Sequence, residues 1–385
     1  MRKRNPEKIK FSSIQLTFWC SWCSFTSFAA LFFKNIGLSE SEIGFALSLS
    51  TLGGILGQFV WGFLCDRFHT IRKNFIAANL MIWAAVMSFL FFKSVRPVLI
   101  IMFILGFAQV PQPSILDTWV LKKLPGKEEE YGHIRLCALF ALIFGWAVRT
   151  WGFGMMFIAT SFFILATLLV TFRVDDAEED NQRQNNLRDS FRKLFTNRRY
   201  LFFITVCFII GLAYRTVHLL LPLIIDNVNG NSGDLGLAYF FGMIAEIPML
   251  LASKKLSKKL RPNFLILISV VLYIVQFLIL IIAASPFMVI LAMFAQGLAF
   301  GNYLPSIRLF VYESAPENLR TTAQTFADAA CSSLTAVIGS AAGGIIIENY
   351  GIRAVLVIGT GLLVLALIIL LANILVQRRK SGNRQ

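Results

Sequence analysis

The chain has 385 residues, of which 57% are hydrophobic and only 15% charged, with a mean hydropathy of +0.69. A soluble domain is nearer half apolar and a quarter charged, so a disordered chain, a disulfide-rich secreted module and a soluble enzyme are excluded. The formal net charge of +15 could suit a nucleic-acid binder. Here, however, Lys and Arg stand in short clusters between long apolar runs, so no nucleic-acid partner is expected and a polytopic membrane protein is.

A helix that crosses a bilayer needs about 20 mostly apolar residues. Twelve segments qualify: 11–35, 41–65, 74–93, 97–121, 132–150, 153–172, 200–225, 234–253, 263–283, 286–312, 321–347 and 351–376. Runs of this length exceed any strand, and backbone facing lipid must satisfy its hydrogen bonds internally, so helices are predicted. The basic start followed by an apolar stretch imitates a secretory signal. That stretch runs past Phe33 without a cleavage site, so the first span is expected to be retained.

Along span one, Gln15, Trp19, Trp22 and Thr26 recur at i, i+4, i+7 and i+11, giving one face able to hydrogen-bond and stack. Cys20 and Cys23 form a lone Cys-x-x-Cys with no second Cys or His pair, so no metal site is expected. Span two carries the small-residue run Gly53-Gly54-Ile55-Leu56-Gly57, and span eleven the run Gly339 to Gly344. Both predict close helix approach. Gln109, Gln112 and Asp117 lie in span four, and Arg135 opens span five. Residues 173–199 are the only long hydrophilic connection, acidic at Asp175, Asp176, Glu178, Glu179 and Asp180 and basic beyond. Leu187, Phe191, Leu194 and Phe195 within it are spaced for an amphipathic helix on the inner leaflet, with a solvated linker as the alternative. Polar amides return at Gln296, Asn302 and Gln324.

Lys and Arg set the orientation. With the N-terminus inside, 28 of the 36 fall on inner segments, 5 on outer ends and 3 within spans. Both termini are therefore expected in the cytoplasm, in a multi-pass protein of the cytoplasmic (inner) membrane. The two halves also echo each other. Pro113-Ser114-Ile115 returns as Pro305-Ser306-Ile307, and Arg72-Lys73-Asn74-Phe75 as Arg261-Pro262-Asn263-Phe264, offsets of 192 and 189 residues. Two six-span repeats around a midplane site are a transporter architecture.

Six ionisable residues lie inside spans: Asp117, Glu246 and Asp328 against Arg135, Arg215 and Arg308. A charge at the bilayer centre costs about 2.5–3.5 kcal/mol on insertion scales, so each marks a function or a pairing. Glu246 stands about 12 Å from Lys254 at the helical rise, a position that makes it a candidate proton carrier. Asp328 has Arg215 and Arg308 as candidate partners, with structural pairing and coupling both open. His218, one turn after Arg215, could assist. A membrane enzyme would need a clustered catalytic set, and no acid cluster lies within the membrane, so no enzyme activity is expected.

After span two, Gly62-Phe63-Leu64-Cys65-Asp66-Arg67-Phe68-His69-Thr70-Ile71-Arg72-Lys73 resembles the Gly-x-x-x-Asp-Arg-x-x-x-Arg-Lys signature of the major facilitator superfamily, with one extra residue. Tyr131-Gly132-His133-Ile134-Arg135-Leu136, Asp117 and Gly242-Met243-Ile244-Ala245-Glu246-Ile247-Pro248 are similar to segments of the branch that holds lactose permease, the nucleoside–proton symporters and the phenylpropionate-type permeases. The resemblance implies an all-α fold of twelve transmembrane helices in two six-helix bundles, 1–172 and 200–385, joined by the cytoplasmic linker 173–199. It implies a secondary active transporter of a small organic solute, a saccharide first, driven by protons through alternating access. An aromatic-acid or nucleoside permease, or a drug exporter, is the alternative. Substrate contact is expected from Asp117, Arg135, Gln15, Trp19, Trp22, Gln109, Asn302 and Gln296, with Asp117 and Arg135 as the principal pair. Coupling or charge pairing is expected from Glu246, Asp328, Arg308 and Arg215, and gating from Asp66, Arg67, Arg72 and Lys73. The chain departs from lactose permease where Gln296 and Ala299 replace the coupling His and its acidic neighbour, and Gln276 replaces the span-nine Arg. Any proton coupling then falls to Glu246 or Asp328. The expected partners are the solute, protons and the lipid bilayer, with a monomeric protein and no cofactor or metal.

Overall fold

Apolar length dictates the architecture. A computed structural model describes residues 6–68, 70–123, 137–176, 198–256, 260, 262–315 and 320–382, and among these all regular structure is helical. Ten helical stretches are long and apolar enough to cross a membrane. The other two predicted spans hold Ile71–Ser88, which opens on Arg72 and Lys73, and Cys137–Trp151, of which 15 residues are described. The amphipathic segment expected around Leu187–Phe195 lies outside the described residues, as does the 131–136 motif with Arg135.

The chain divides into two compact units. One is Met1–Gln182 with Asn231–Leu237, and the other is Arg183–Gly230 with Ala238–Gln385. In the first unit, span two (Glu40–Phe68) and span four meet backbone to backbone. A Cβ on Gly106 would lie 1.8 Å from the Ser50 carbonyl oxygen, and one on Gly53 would lie 2.2 Å from that of Phe103. Only glycine allows such an approach. Around this seam, Phe11, Phe18, Trp61, Phe75 and Trp119 pack into one buried aromatic cluster.

Two of the continuous spans expected from hydropathy are broken. Span one stops as a helix at Thr26 and resumes over Ala29–Asn35. Just before the break, the Ser21 and Ser24 hydroxyls donate back to the Phe18 and Ser21 carbonyls at 2.7 and 2.9 Å. Such bonds compete with the helical ladder and bend it. Span four consists of Val95–Gln109 and Gln112–Lys123, separated at Pro111. Proline has no N–H to give the carbonyl four residues earlier, that of Phe107. The Trp61 indole N–H supplies the missing bond at 3.0 Å. The internal repeat diverges here, because the position matching Pro111 at the offset of 192 is Tyr303, inside the unbroken helix Pro286–Ser314.

In the second unit, side chains clasp the helices. The Tyr200 hydroxyl donates to the Ala323 carbonyl at 2.7 Å and that of Tyr303 to the Cys207 carbonyl at 3.0 Å. Span eleven runs as Arg320–Asp328, a π-helical turn Ala329–Leu334, and Thr335–Tyr350. The π turn presses the Cys331 carbonyl oxygen to within 2.5 Å of where a Cβ on Gly211 would sit, so span seven yields room with a glycine. Cys20, Cys23, Cys65, Cys207 and Cys331 form no disulfide with one another.

Candidate functional site

The charged loop after span two is built into the end of its own unit. The helix Ile71–Ser88 begins at Thr70, whose side chain accepts from the Lys73 N–H at 3.2 Å. The first-turn N–H groups of Ile71 and Arg72 both donate to the Asp176 carboxylate at 3.0 Å, and the Thr70 hydroxyl donates to it as well. A carboxylate at a helix N-terminus gains from free N–H groups and from the helix dipole together. Arg72 donates from its guanidinium to the Val174 carbonyl at 3.2 Å, and Lys10 to the Arg173 carbonyl at 2.9 Å. The start of the acidic connection is thus bound to spans one and three of the same unit. Arg67 and Lys73 are exposed, and Asp66 is described in its backbone only.

The polar face foreseen on span one lies beside span four. Gln15 is buried, and Trp19 and Trp22 are half-buried with ring centroids 5.6 Å apart, packed on the aromatic cluster. Thr26 donates to the Gln109 side-chain oxygen at 3.4 Å. Asp117 is exposed on a helix whose opposite side buries Leu116, Trp119 and Val120. Its expected partner Arg135 is outside the described residues.

In the second unit the residues expected for coupling come from four spans. Asp328 lies within electrostatic reach of Arg308 and Arg215 without a contact-distance ion pair to either. Glu246 lies within reach of Tyr214 and Tyr273. Asn302, expected to meet solute, is wholly buried. Its amide nitrogen instead donates to the Leu265 carbonyl at 2.6 Å and the Ser269 hydroxyl at 2.9 Å, tying span ten to span nine. Gln296 is buried beside Gly242.

Sequence reasoning passed over a set of aromatic neighbours. The Tyr214 ring lies 5.3 Å from those of Tyr273 and Phe300 and 5.6 Å from His218. The Arg215 guanidinium stands 5.4 Å from the Tyr214 ring centroid. A tyrosine in an apolar run reads as packing; the signal that could have found these was Tyr214 adjoining the half-buried Arg215. Among the described residues, no group of His, Cys, Asp and Glu could hold a metal ion.

A helical protein with apolar spans throughout and ionisable residues within several of them defines the class of a polytopic transporter. The family described as the MFS_1 like family matches residues 9–358, and the chain belongs to it, within the major facilitator superfamily. It is 24% identical over 331 residues to an uncharacterized transporter, YwbF, of Bacillus subtilis, covering 84% of this chain and 82% of the relative. It is 22% identical over 355 residues to a maltose permease of Geobacillus stearothermophilus, covering 90% and 89%. Multidrug resistance protein MdtG of Salmonella is 23–24% identical over 366 residues, covering 87% of each chain. Among solved structures, the nucleoside transporter NupG superposes with a TM-score of 0.84 at 16% identity, over 96% of this chain and 99% of that one. A D-xylose-proton symporter superposes with 0.67 at 15% identity, over 94% and 95%. The fold is the twelve-helix major facilitator fold, and the protein is a multi-pass membrane transporter, not an enzyme.

Proposed function

We propose that this protein is a secondary active transporter that carries a small saccharide across the cytoplasmic membrane together with protons. The bundles 1–172 and 200–385 alternate access to a shared site, and the linker 173–199 joins them on the cytoplasmic side, where both termini also lie. Asp117 and Arg135 serve as the principal solute pair, with Gln15, Trp19, Trp22, Gln109 and Gln296 as further solute contacts. Glu246 and Asp328 carry or balance the proton, with Arg215 and Arg308 as counter-ions. Asp66, Arg67, Arg72 and Lys73 bias the gate, and the protein works as a monomer.

The observation that carries this reading is the placement of Asp328 within reach of two guanidinium groups on two other helices, held at a distance rather than locked in a contact pair. A structural salt bridge minimises its energy at contact. An acid that must gain and lose a proton in each cycle is better served by a looser field. The maltose permease among the relatives supports a saccharide. MdtG supports a second reading, a drug exporter of the same fold, and an aromatic-acid or nucleoside permease is the third.

Uptake into proteoliposomes with and without an inward proton gradient tests the proposal, with saccharides, nucleosides, aromatic acids and lipophilic cations as competitors. The expected result is saccharide uptake that falls when the gradient is collapsed. Uptake indifferent to the gradient would remove the symport claim, and competition confined to another solute class would remove the saccharide.

A further inference from the structure

The interior of the second unit contains hydrogen-bonding groups that the protein leaves unused. Tyr273 is wholly buried, yet its hydroxyl has no partner, and the same holds for the Gln276 side-chain oxygen three residues on. On span seven, Arg215 Nε and His218 Nδ1 are buried without partners as well. Arg215, His218 and Tyr273 share one neighbourhood, and Gln276 stands about one turn from Tyr273 on the same helix. The Tyr214 ring is adjacent to Arg215, His218 and Tyr273 at 5.4, 5.6 and 5.3 Å, and Phe300 stacks on it at 5.3 Å. Arg215 also acts electrostatically on Tyr273. More than nine in ten buried polar groups in folded proteins are satisfied, so a cluster of unused ones marks a place that something else completes.

The chemistry of the cluster narrows what completes it. Arg215 is permanently charged and presents a planar fork of donors suited to a carboxylate. Among the described residues it makes no contact-distance ion pair; Asp328 feels Arg308 first, and Glu246 acts on the same two tyrosines as Arg215. A half-buried guanidinium without a contact anion gains from any oxyanion delivered to it. In its neighbourhood the Tyr273 hydroxyl can donate or accept, and one turn along the same helix the Gln276 oxygen can accept, which matches vicinal hydroxyls rather than a hydrocarbon tail. The Tyr214–Phe300 stack forms an apolar wall of the kind a sugar ring lies along. A neutral saccharide would use the hydroxyl partners and offer the guanidinium no contact anion.

We propose that the solute is a sugar acid of the uronate class, its carboxylate held by Arg215 and its ring hydroxyls by Tyr273 and Gln276. This rests on the saccharide reading above and adds one negative charge to it. Arg215 is then a specificity residue, the group that separates a uronate from its parent hexose.

Calorimetric binding to the full-length purified protein tests this with D-glucuronate and D-galacturonate, D-glucose and D-galactose, and 3-phenylpropionate. The uronates should bind at least about tenfold more tightly than the hexoses. Arg215→Gln should weaken uronate binding about a hundredfold, the loss expected when one partner of a desolvated charge pair is removed, and Arg215→Lys should fall between. Tyr273→Phe, which removes one oxygen and little volume, should weaken it about tenfold and keeps the test open should Arg215→Gln fail to fold. Hexoses binding as tightly as uronates, or uronate binding untouched in both Arg215→Lys and Tyr273→Phe, would overturn the proposal while leaving the saccharide reading standing. Arg215-dependent binding of phenylpropionate without any uronate binding would overturn both. Binding of no carboxylate at all would overturn the proposal alone if a neutral sugar is still carried.

Discussion

Asp176→Ala removes the acceptor that closes the helix Ile71–Ser88 at its N-terminus. Two backbone N–H groups at 3.0 Å and the Thr70 hydroxyl lose their carboxylate in one step. An N-cap side chain contributes about 0.5–2 kcal/mol, and a charge at a helix N-terminus about 0.3–1 kcal/mol more. The freed groups are only partly buried, so water recovers some of the loss. The expected destabilisation is about 2 kcal/mol for Asp176→Ala and about 1 kcal/mol for Asp176→Asn, which keeps one oxygen acceptor and loses the charge. All seven tryptophans lie between Trp19 and Trp151, so intrinsic fluorescence reports on the first unit alone. A unit of this size shifts by roughly 2–4 °C per kcal/mol. Thermal unfolding in detergent should therefore drop by about 4–8 °C for the alanine variant and about half that for the asparagine. The double variant Asp176→Ala with Thr70→Ala should lose less than the sum of the two singles, because the residues share a bond. An Asp176→Ala protein that melts with the parent would refute the capping account.

Other perturbations follow from the same geometry. Trp61→Phe leaves the Phe107 carbonyl, orphaned by Pro111 and now bonded by the indole at 3.0 Å, without a donor. It should cost about 1–3 kcal/mol in the same fluorescence melt, whereas Trp83→Phe, on a partly exposed face, should cost far less. Gly106→Val pushes a branched side chain against the Ser50 carbonyl, where even a Cβ would sit 1.8 Å away. Separation of spans two and four should lower stability by at least about 1–3 kcal/mol and reduce the folded yield on size exclusion.

Much of the fold was legible because a bilayer is an undemanding reader of composition. About twenty apolar residues are enough to announce a helix without any knowledge of packing. Glycine runs likewise announced close approach at Gly53–Gly57, though not that the partner would be the backbone of Phe103 and Phe107. What stayed hidden depends on contacts between distant positions. Asp176 lies 105 residues from the helix it caps at Ile71 and looked like one acid among five. The breaks at Ser27 and Pro111 depend on local hydroxyl bonding and on a tryptophan in another span, neither of which hydropathy records. Asn302 looked like a solute ligand because a polar residue in a span invites that reading; its actual partners are the Leu265 carbonyl and Ser269. Tyr273 was overlooked for the opposite reason, since it resembles packing until its unused oxygen is seen, and Gln276 was noted only for the arginine it replaces.

The most direct test of the whole account is counterflow in gradient-free proteoliposomes. Vesicles loaded with unlabelled solute and diluted into a trace of labelled solute should show a transient overshoot of label, absent from protein-free vesicles. That result requires one site opening alternately to the two sides. A solute that binds the purified protein yet shows no overshoot, or passes at the same rate as through protein-free vesicles, would contradict the claim that this protein is a carrier.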